Sequence, residues 1–241
     1  MTKKEELARR IIVALDVASG KEALALVKEL RAVEIFKVGF RLFTAEGPAL
    51  LNEIRKLGRK TFLDLKLHDI PNTVAETIRV AVKHGVHMLT LHSSGGREMM
   101  QRAAEAAAAE AAKEGREKPL LLGVTVLTSL KGDELREIGV SSDVDAQVLR
   151  LAKLAHEAGM DGLVCSSQEI EIVKKEIGRD FLVVVPGIRP AWSEAGDQKR
   201  IMTPSLAVQK GADFLVIGRP IIAAPSAYEA FLKIVEELYK A

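Results

Sequence analysis

The sequence predicts a (β/α)8 TIM barrel, and three observations carry that prediction. Eight short runs rich in Leu and β-branched residues recur along the chain. Amphipathic helical stretches separate them from end to end. Gly58, Gly85, Gly115, Gly159, Gly178 and Gly211 each fall where a helix should stop and turn back toward a strand. Eight βα units in 241 residues, with no Pro/Gly/Ser-rich linker and no break in composition, argue for one barrel spanning residues 1–241 as a single catalytic domain. A doubly wound open sheet is the competing architecture.

In chain order, strand one is expected over residues 11–17 and a helix over 21–31. Strand two, 35–39, leads to a helix over 48–57, and strand three, 60–67, to a helix over 73–84. Strand four, 88–92, precedes a helix over 97–114, whose Ala-rich segment 103–112 reads as an exposed helix of strong helix formers. Strand five, 120–127, is followed by a helix over 144–158, and strand six, 162–165, by one over 168–177. Strand seven, 181–186, runs into the longest irregular connection, residues 189–203. Strand eight, 214–217, and a helix over 226–239 close the chain.

Composition excludes several function classes. A net charge of +2, from 35 basic and 33 acidic residues, and an aromatic content of 4% argue against a nucleic-acid binder, which needs a basic excess and stacking platforms. No apolar run is long enough to span a bilayer, so no membrane partner is expected. The single Cys165 rules out an intramolecular disulfide framework and fits a reducing compartment. The first residues carry both signs of charge without a signal-peptide core, and the expected location is the cytoplasm.

Barrel chemistry sits at the C-terminal ends of the strands. Polar residues collect there: Asp16 after strand one, Lys37 on strand two, Asp64 and Lys66 on strand three. Thr125 and Thr128-Ser129 follow strand five, Arg189 follows strand seven and Gly218-Arg219 strand eight. The N-terminal approaches to the strands show nothing comparable. On strand three, a period of two puts Phe62, Asp64 and Lys66 on one face and Leu63, Leu65 and Leu67 on the other. Burying two charges is costly unless they pair or serve a function. Lys66 would lie between Asp64 and Asp69, its own or another copy's, with Lys37 close by on the adjacent strand. Opposite charges on both sides keep an ammonium charged, which favours a proton donor over a Schiff-base nucleophile. Such an array can stabilise negative charge on carbon and then protonate it, as decarboxylation requires.

The glycines and arginines after strands seven and eight suit a phosphate. The 189–203 connection, with Gln198, Lys199 and Arg200, reads as a lid closing over it. Trp192 reads as an anchor for that loop. The five histidines match no metal-ligand spacing, His92 alone is placed to line a site, and Cys165 reads as buried packing.

The run Asp64-x-Lys66-x-x-Asp69-Ile70-Pro71-Asn72-Thr73 closely resembles the signature of the orotidine 5′-phosphate decarboxylase family. Ala14-Leu15-Asp16, Phe36-Lys37-Val38-Gly39, the segment from Val124 to Ser129, Pro186-Gly187-Ile188-Arg189-Pro190, Gly196-Asp197-Gln198 and Ile217-Gly218-Arg219-Pro220 are similar to that family's motifs, in its order. The resemblance covers nearly the whole chain. It implies that Lys66 protonates C6 of the pyrimidine and that Asp64 lies beside the departing carboxylate. It further implies that Asp16 and Lys37 hold the ribose, that Thr128 and Ser129 face the pyrimidine, and that Arg189, Gln198, Gly218 and Arg219 grip the phosphate. The substrate would be orotidine 5′-phosphate and the product UMP, with no metal and no organic cofactor. A homodimer is implied, in which Asp69, Ile70 and Thr73 reach into the partner's site. The nearest rivals are metal-dependent decarboxylases and synthases of sugar phosphates that share the Asp-x-Lys-x-x-Asp strand. They need an acidic ligand at the end of strand two, where this chain has Lys37. A non-catalytic barrel would have no use for the inward charges.

Overall fold

The computed structural model describes residues 2–193 and 202–241. Eight strands, β1 (Ile11–Ala14), β2 (Ile35–Gly39), β3 (Lys60–Leu67), β4 (Met88–His92), β5 (Leu120–Val124), β6 (Gly162–Val164), β7 (Leu182–Val185) and β8 (Phe214–Ile217), close in sequence order into a barrel. Each pairs in parallel with the next, and β8 returns to β1. The expected barrel is the fold observed. All six glycines named above take positive φ at the ends of their helices, the left-handed conformation that reverses a chain with least strain in glycine.

The core has two layers, as strands with a period of two require. Ile12, Ile35, Phe62, Met88, Leu122 and Val216 fill the barrel interior. The alternate residues, among them Val13, Phe36, Leu63, Leu89 and Leu215, pack outward against the helices.

Several expectations need correction. Strand one ends at Ala14 and strand five at Val124, so Asp16 and Thr128 stand on loops beyond the strand ends. For β5 the reason is its neighbour: β6 has three residues, and past Thr125, whose N–H reaches the Val164 carbonyl at 3.5 Å, no ladder partner remains. The helix expected over 168–177 starts at Ile170. Short helices form at Lys3–Arg9, Phe40–Glu46, Gly132–Glu137, Pro204–Gln209 and Arg219–Ile222, none of which periodicity could reveal over so few residues. The Ala-rich helix is half-buried: Ala103, Ala106, Ala107 and Ala111 are in the core, their small side chains letting the helix Arg97–Glu114 approach its neighbour Pro71–Lys83. Glu110 is buried there as well, between Lys113 at 3.2 Å, Lys83 at 3.6 Å and Arg79 at 3.8 Å.

The N-terminal strand ends are also charged, contrary to expectation. Glu34 pairs with Lys60, Asp161 with Lys118 and Asp213 with Lys174, each at 2.7 Å. No helix among the described residues is long and apolar enough to cross a membrane.

Candidate active site

The third strand is where the barrel departs from regularity. Leu63 pairs with Leu89 and Leu67 with Leu91, so β3 takes two more residues than β4 over the same stretch. Inside that bulge Lys66 has φ 45°, the sole positive φ of a non-glycine residue among those described. The simple alternation expected for residues 62–67 therefore ends at Asp64, and the bulge itself re-aims Lys66 toward the mouth.

The charges meet at the C-terminal mouth. Lys66 Nζ donates to Asp64 Oδ1 at 2.9 Å. Lys37 Nζ lies 3.6 Å from Asp64 Oδ2 and donates to Asp16 Oδ1 at 3.2 Å. Asp16, Lys37, Asp64 and Lys66 thus alternate in sign across one surface, supplied by the loop after β1, by β2 and by β3. Burial pushes the Asp64 carboxyl up, but Lys37 and Lys66, with hydrogen bonds from Lys66 and Thr90, more than reverse this and hold it below the ordinary aspartate value. A buried pair of this kind adds little net stability against an apolar substitute, so its presence calls for a chemical use.

Asp16, Lys37 and Asp64 line one cavity with Arg189, Gly218 and Arg219. At Gly218 an added Cβ would come 3.4 Å from Asp16 Oδ2 and 3.5 Å from the Ala14 Cβ, so this residue's backbone lies against the charged cluster. Arg189 and Arg219 continue into an adjoining pocket beside Trp192. Arg189 is buried, its Nη1 donating to the Ile188 carbonyl at 3.1 Å, while Arg219 is exposed. The Arg189 N–H donates to the Met202 carbonyl at 3.0 Å, which draws together the two ends of the expected lid. Gln198, Lys199 and Arg200 lie outside the described residues. Lys233 Nζ sits 4.4 Å from the Trp192 ring centroid, in keeping with an anchor.

The remaining expected residues do not join this cluster within one chain. Asp69, Ile70 and Thr73 are exposed, and Asp69 Oδ1 accepts the Ile70 N–H at 2.7 Å without pairing to Lys66. Thr73 and Asp69 flank a groove that also holds Lys66 and Phe40. Thr128 is half-buried in the turn after β5, and Ser129 is exposed. His92 stands beside His68, with ring centroids 5.5 Å apart, and burial, then His68 and Lys66, lower its pKa and favour the neutral ring. Cys165 is buried, and burial pushes its thiol well up. Among the described residues no group of three or more His, Cys, Asp or Glu is arranged to hold a metal ion.

One contributor was not expected. The Thr90 hydroxyl donates to Asp64 Oδ1 at 2.9 Å and accepts the Lys66 N–H at 2.9 Å. Period two places this hydroxyl inward with Met88 and His92, between Leu89 and Leu91, but nothing in the letters sets it apart from an ordinary strand threonine. A larger concavity, about 530 Å³, opens at the opposite pole beside Lys174 and Asp213. The mouth is divided into smaller ones, about 340 Å³ around Asp16, Lys37, Asp64 and Lys66 and about 210 Å³ toward Arg189 and Arg219. The central ion pair of the larger concavity is engaged by the protein: Lys174 Nζ donates to Asp213 and to the Arg179 and Phe181 carbonyls. Size alone does not mark the reactive site.

The family model described as orotidine 5′-phosphate decarboxylase / HUMPS family matches residues 9–234. A protein of Syntrophomonas wolfei named orotidine 5′-phosphate decarboxylase is 52% identical over 232 residues, covering 95% of this chain and 97% of the other. One of the same name from Nostoc is 46% identical over 230 residues, covering 95% and 97%. The crystal structure of orotidine 5′-phosphate decarboxylase from Lactobacillus acidophilus superposes with a TM-score of 0.86 at 38% identity, covering 95% of this chain and 99% of that one.

Proposed function

The chain belongs to the orotidine 5′-phosphate decarboxylase / HUMPS family, and from that premise we propose how its barrel mouth works. The enzyme decarboxylates orotidine 5′-phosphate to UMP in pyrimidine biosynthesis. The observation that carries the residue-level reading is the array Asp16–Lys37–Asp64–Lys66, linked by contacts of 2.9 to 3.6 Å.

The substrate carboxylate at C6 is set beside Asp64, a carboxylate kept ionised by its two lysines. Their mutual repulsion is relieved when the bond from C6 to the carboxyl carbon breaks and CO2 leaves with no charge. The electron pair stays on C6 and faces Lys66. The ammonium stabilises it and transfers a proton from Nζ to C6, leaving a neutral amine that solvent reprotonates. Fixed charges do this without reorganising at the moment of reaction. Lys37 and Asp16 take the ribose hydroxyls, and Thr128 and Ser129 the pyrimidine. Arg189, Arg219, Gly218 and Gln198 hold the phosphate, whose binding energy supports lid closure over the reacting centre. The reaction needs neither metal nor organic cofactor.

The site is completed by a second copy of the chain. Ile70 is 67% exposed and Phe40 57%, next to exposed Asp69 and Thr73 on the groove that leads to Lys66. Apolar side chains this exposed around an active-site groove support a homodimer interface across which Asp69, Ile70 and Thr73 reach the partner's substrate. The enzyme works in the cytoplasm, with no nucleic acid or membrane as partner.

Incubating the purified protein with orotidine 5′-phosphate yields UMP and one equivalent of CO2; unchanged substrate would refute the activity. Mixing inactive Lys66→Ala and Asp69→Ala chains under exchanging conditions restores part of the activity through hybrid dimers. Failure to recover any would count against Asp69 acting across the interface.

A further inference from the structure

We propose that Thr90 is a positioning residue for the reaction, its single hydroxyl locking the bulged backbone of Lys66 and the carboxylate of Asp64 into one rigid unit. The inference rests on the decarboxylase reading and deepens it. Thr90 is fully buried on β4. Its oxygen is engaged from both sides, accepting the Lys66 N–H at 2.9 Å and donating to Asp64 Oδ1 at 2.9 Å.

Two features make this more than packing. First, the register jump between β3 and β4 takes Lys66 out of the regular ladder, and its N–H would be an orphan in a mostly buried setting. The Thr90 oxygen takes the place of the missing strand carbonyl. A lysine at φ 45° is strained and persists only where its surroundings over-determine it. The hydrogen bond to Thr90 is one such determinant, and it sets the direction in which the Lys66 side chain leaves the backbone. Second, Asp64 Oδ1 accepts both the Thr90 hydroxyl and Lys66 Nζ, whereas Oδ2 faces Lys37. When Lys66 gives its proton to C6, Asp64 loses a cationic neighbour. The Thr90 hydroxyl stays bonded to Oδ1 and holds the carboxylate in place until Lys66 is recharged.

The test compares Thr90→Val, which keeps shape and removes the hydroxyl, with Thr90→Ser, which keeps the hydroxyl. For Thr90→Val, kcat on orotidine 5′-phosphate falls by roughly 100-fold, the loss expected of slight misplacement of reacting groups. KM and the UMP dissociation constant stay within a few-fold of wild type, and Thr90→Ser recovers most of kcat. A kcat within a few-fold of wild type in Thr90→Val overturns the proposal. So does an equal loss in both variants, or a loss in kcat matched by the loss in UMP affinity. Titration of Asp64 by carboxyl 13C NMR reads the same contact without turnover. Losing a donor to the carboxylate moves its titration to higher pH in Thr90→Val and not in Thr90→Ser; identical titrations overturn the positioning role. A wild-type chain inactive on orotidine 5′-phosphate would refute the decarboxylase reading, while the titration would still decide the fate of the Thr90 contact.

Discussion

Lys174 and Lys66 are the same residue type, each paired with an aspartate, at opposite ends of one barrel. Lys174 Nζ donates to Asp213 Oδ2 at 2.7 Å and to the carbonyls of Arg179 and Phe181 at 2.9 Å each, so all three of its protons have protein acceptors. Asp213 Oδ2 also accepts the Val183 N–H at 2.7 Å, and Asp161 Oδ2 likewise accepts the Leu121 N–H at 2.8 Å while pairing with Lys118. These pairs stitch the beginnings of adjacent strands together. At the mouth, Lys66 Nζ donates to Asp64 alone among the described residues, and Lys37 Nζ donates to Asp16 alone. Beyond these, only Asp64 Oδ2, 3.6 Å from Lys37 Nζ, stands near as a further acceptor among the described residues. The difference teaches how to separate a structural from a reactive lysine: by counting acceptors, not by noting a nearby carboxylate.

The comparison can be broken by exchanging the losses. Lys66→Ala should lower kcat by about 10⁴-fold, the upper range for a general acid. Its unfolding free energy, measured by denaturant titration, should fall less than for Asp213→Ala, because Asp64 stays paired with Lys37 and keeps the Thr90 hydroxyl. Arg219→Ala should reduce kcat/KM for the phosphorylated substrate by roughly 100-fold and leave turnover of the bare nucleoside nearly unchanged; equal losses on both would remove the phosphate assignment. Asp213→Ala should do the reverse of Lys66→Ala. It leaves a mostly buried ammonium and the Val183 N–H without their acceptor, and should cost about 2–4 kcal/mol of stability with kcat intact well below the melting temperature.

A smaller effect comes from pH. The folded-state pKa of Asp64 lies below the ordinary value of 3.8. A depressed carboxyl contributes stability above its unfolded pKa and loses it as pH falls through the folded one. Wild type should therefore lose stability as pH drops below 3.8, and Asp64→Asn should lose less over that range. Parallel curves would mean that the lysines do not stabilise the carboxylate.

Much of this was legible before any coordinates. Strand runs, helix-stopping glycines and the charge-bearing third strand each follow from local chemistry, so the barrel and the meeting of Asp16, Lys37, Asp64 and Lys66 could be expected. Thr90 could not be singled out, because a threonine in a buried strand is ordinary until β3 is known to bulge beside it. The bulge itself leaves no mark, since residues 62–67 alternate without interruption. The charges at the strand beginnings were visible as letters, but only pairing shows that Asp161 and Asp213 close backbone donors. Asp69 was read from the residues as a neighbour of Lys66, its reach into a partner and that of Ile70 from resemblance, and a single chain leaves both exposed.

The central claim is that fixed side-chain charges alone carry the decarboxylation. Its most direct test follows the loss of orotate absorbance from orotidine 5′-phosphate before and after exhaustive chelation of the purified protein. The account predicts equal rates. A rate abolished by chelation and restored by a divalent cation would contradict it and place the chemistry with a metal ion.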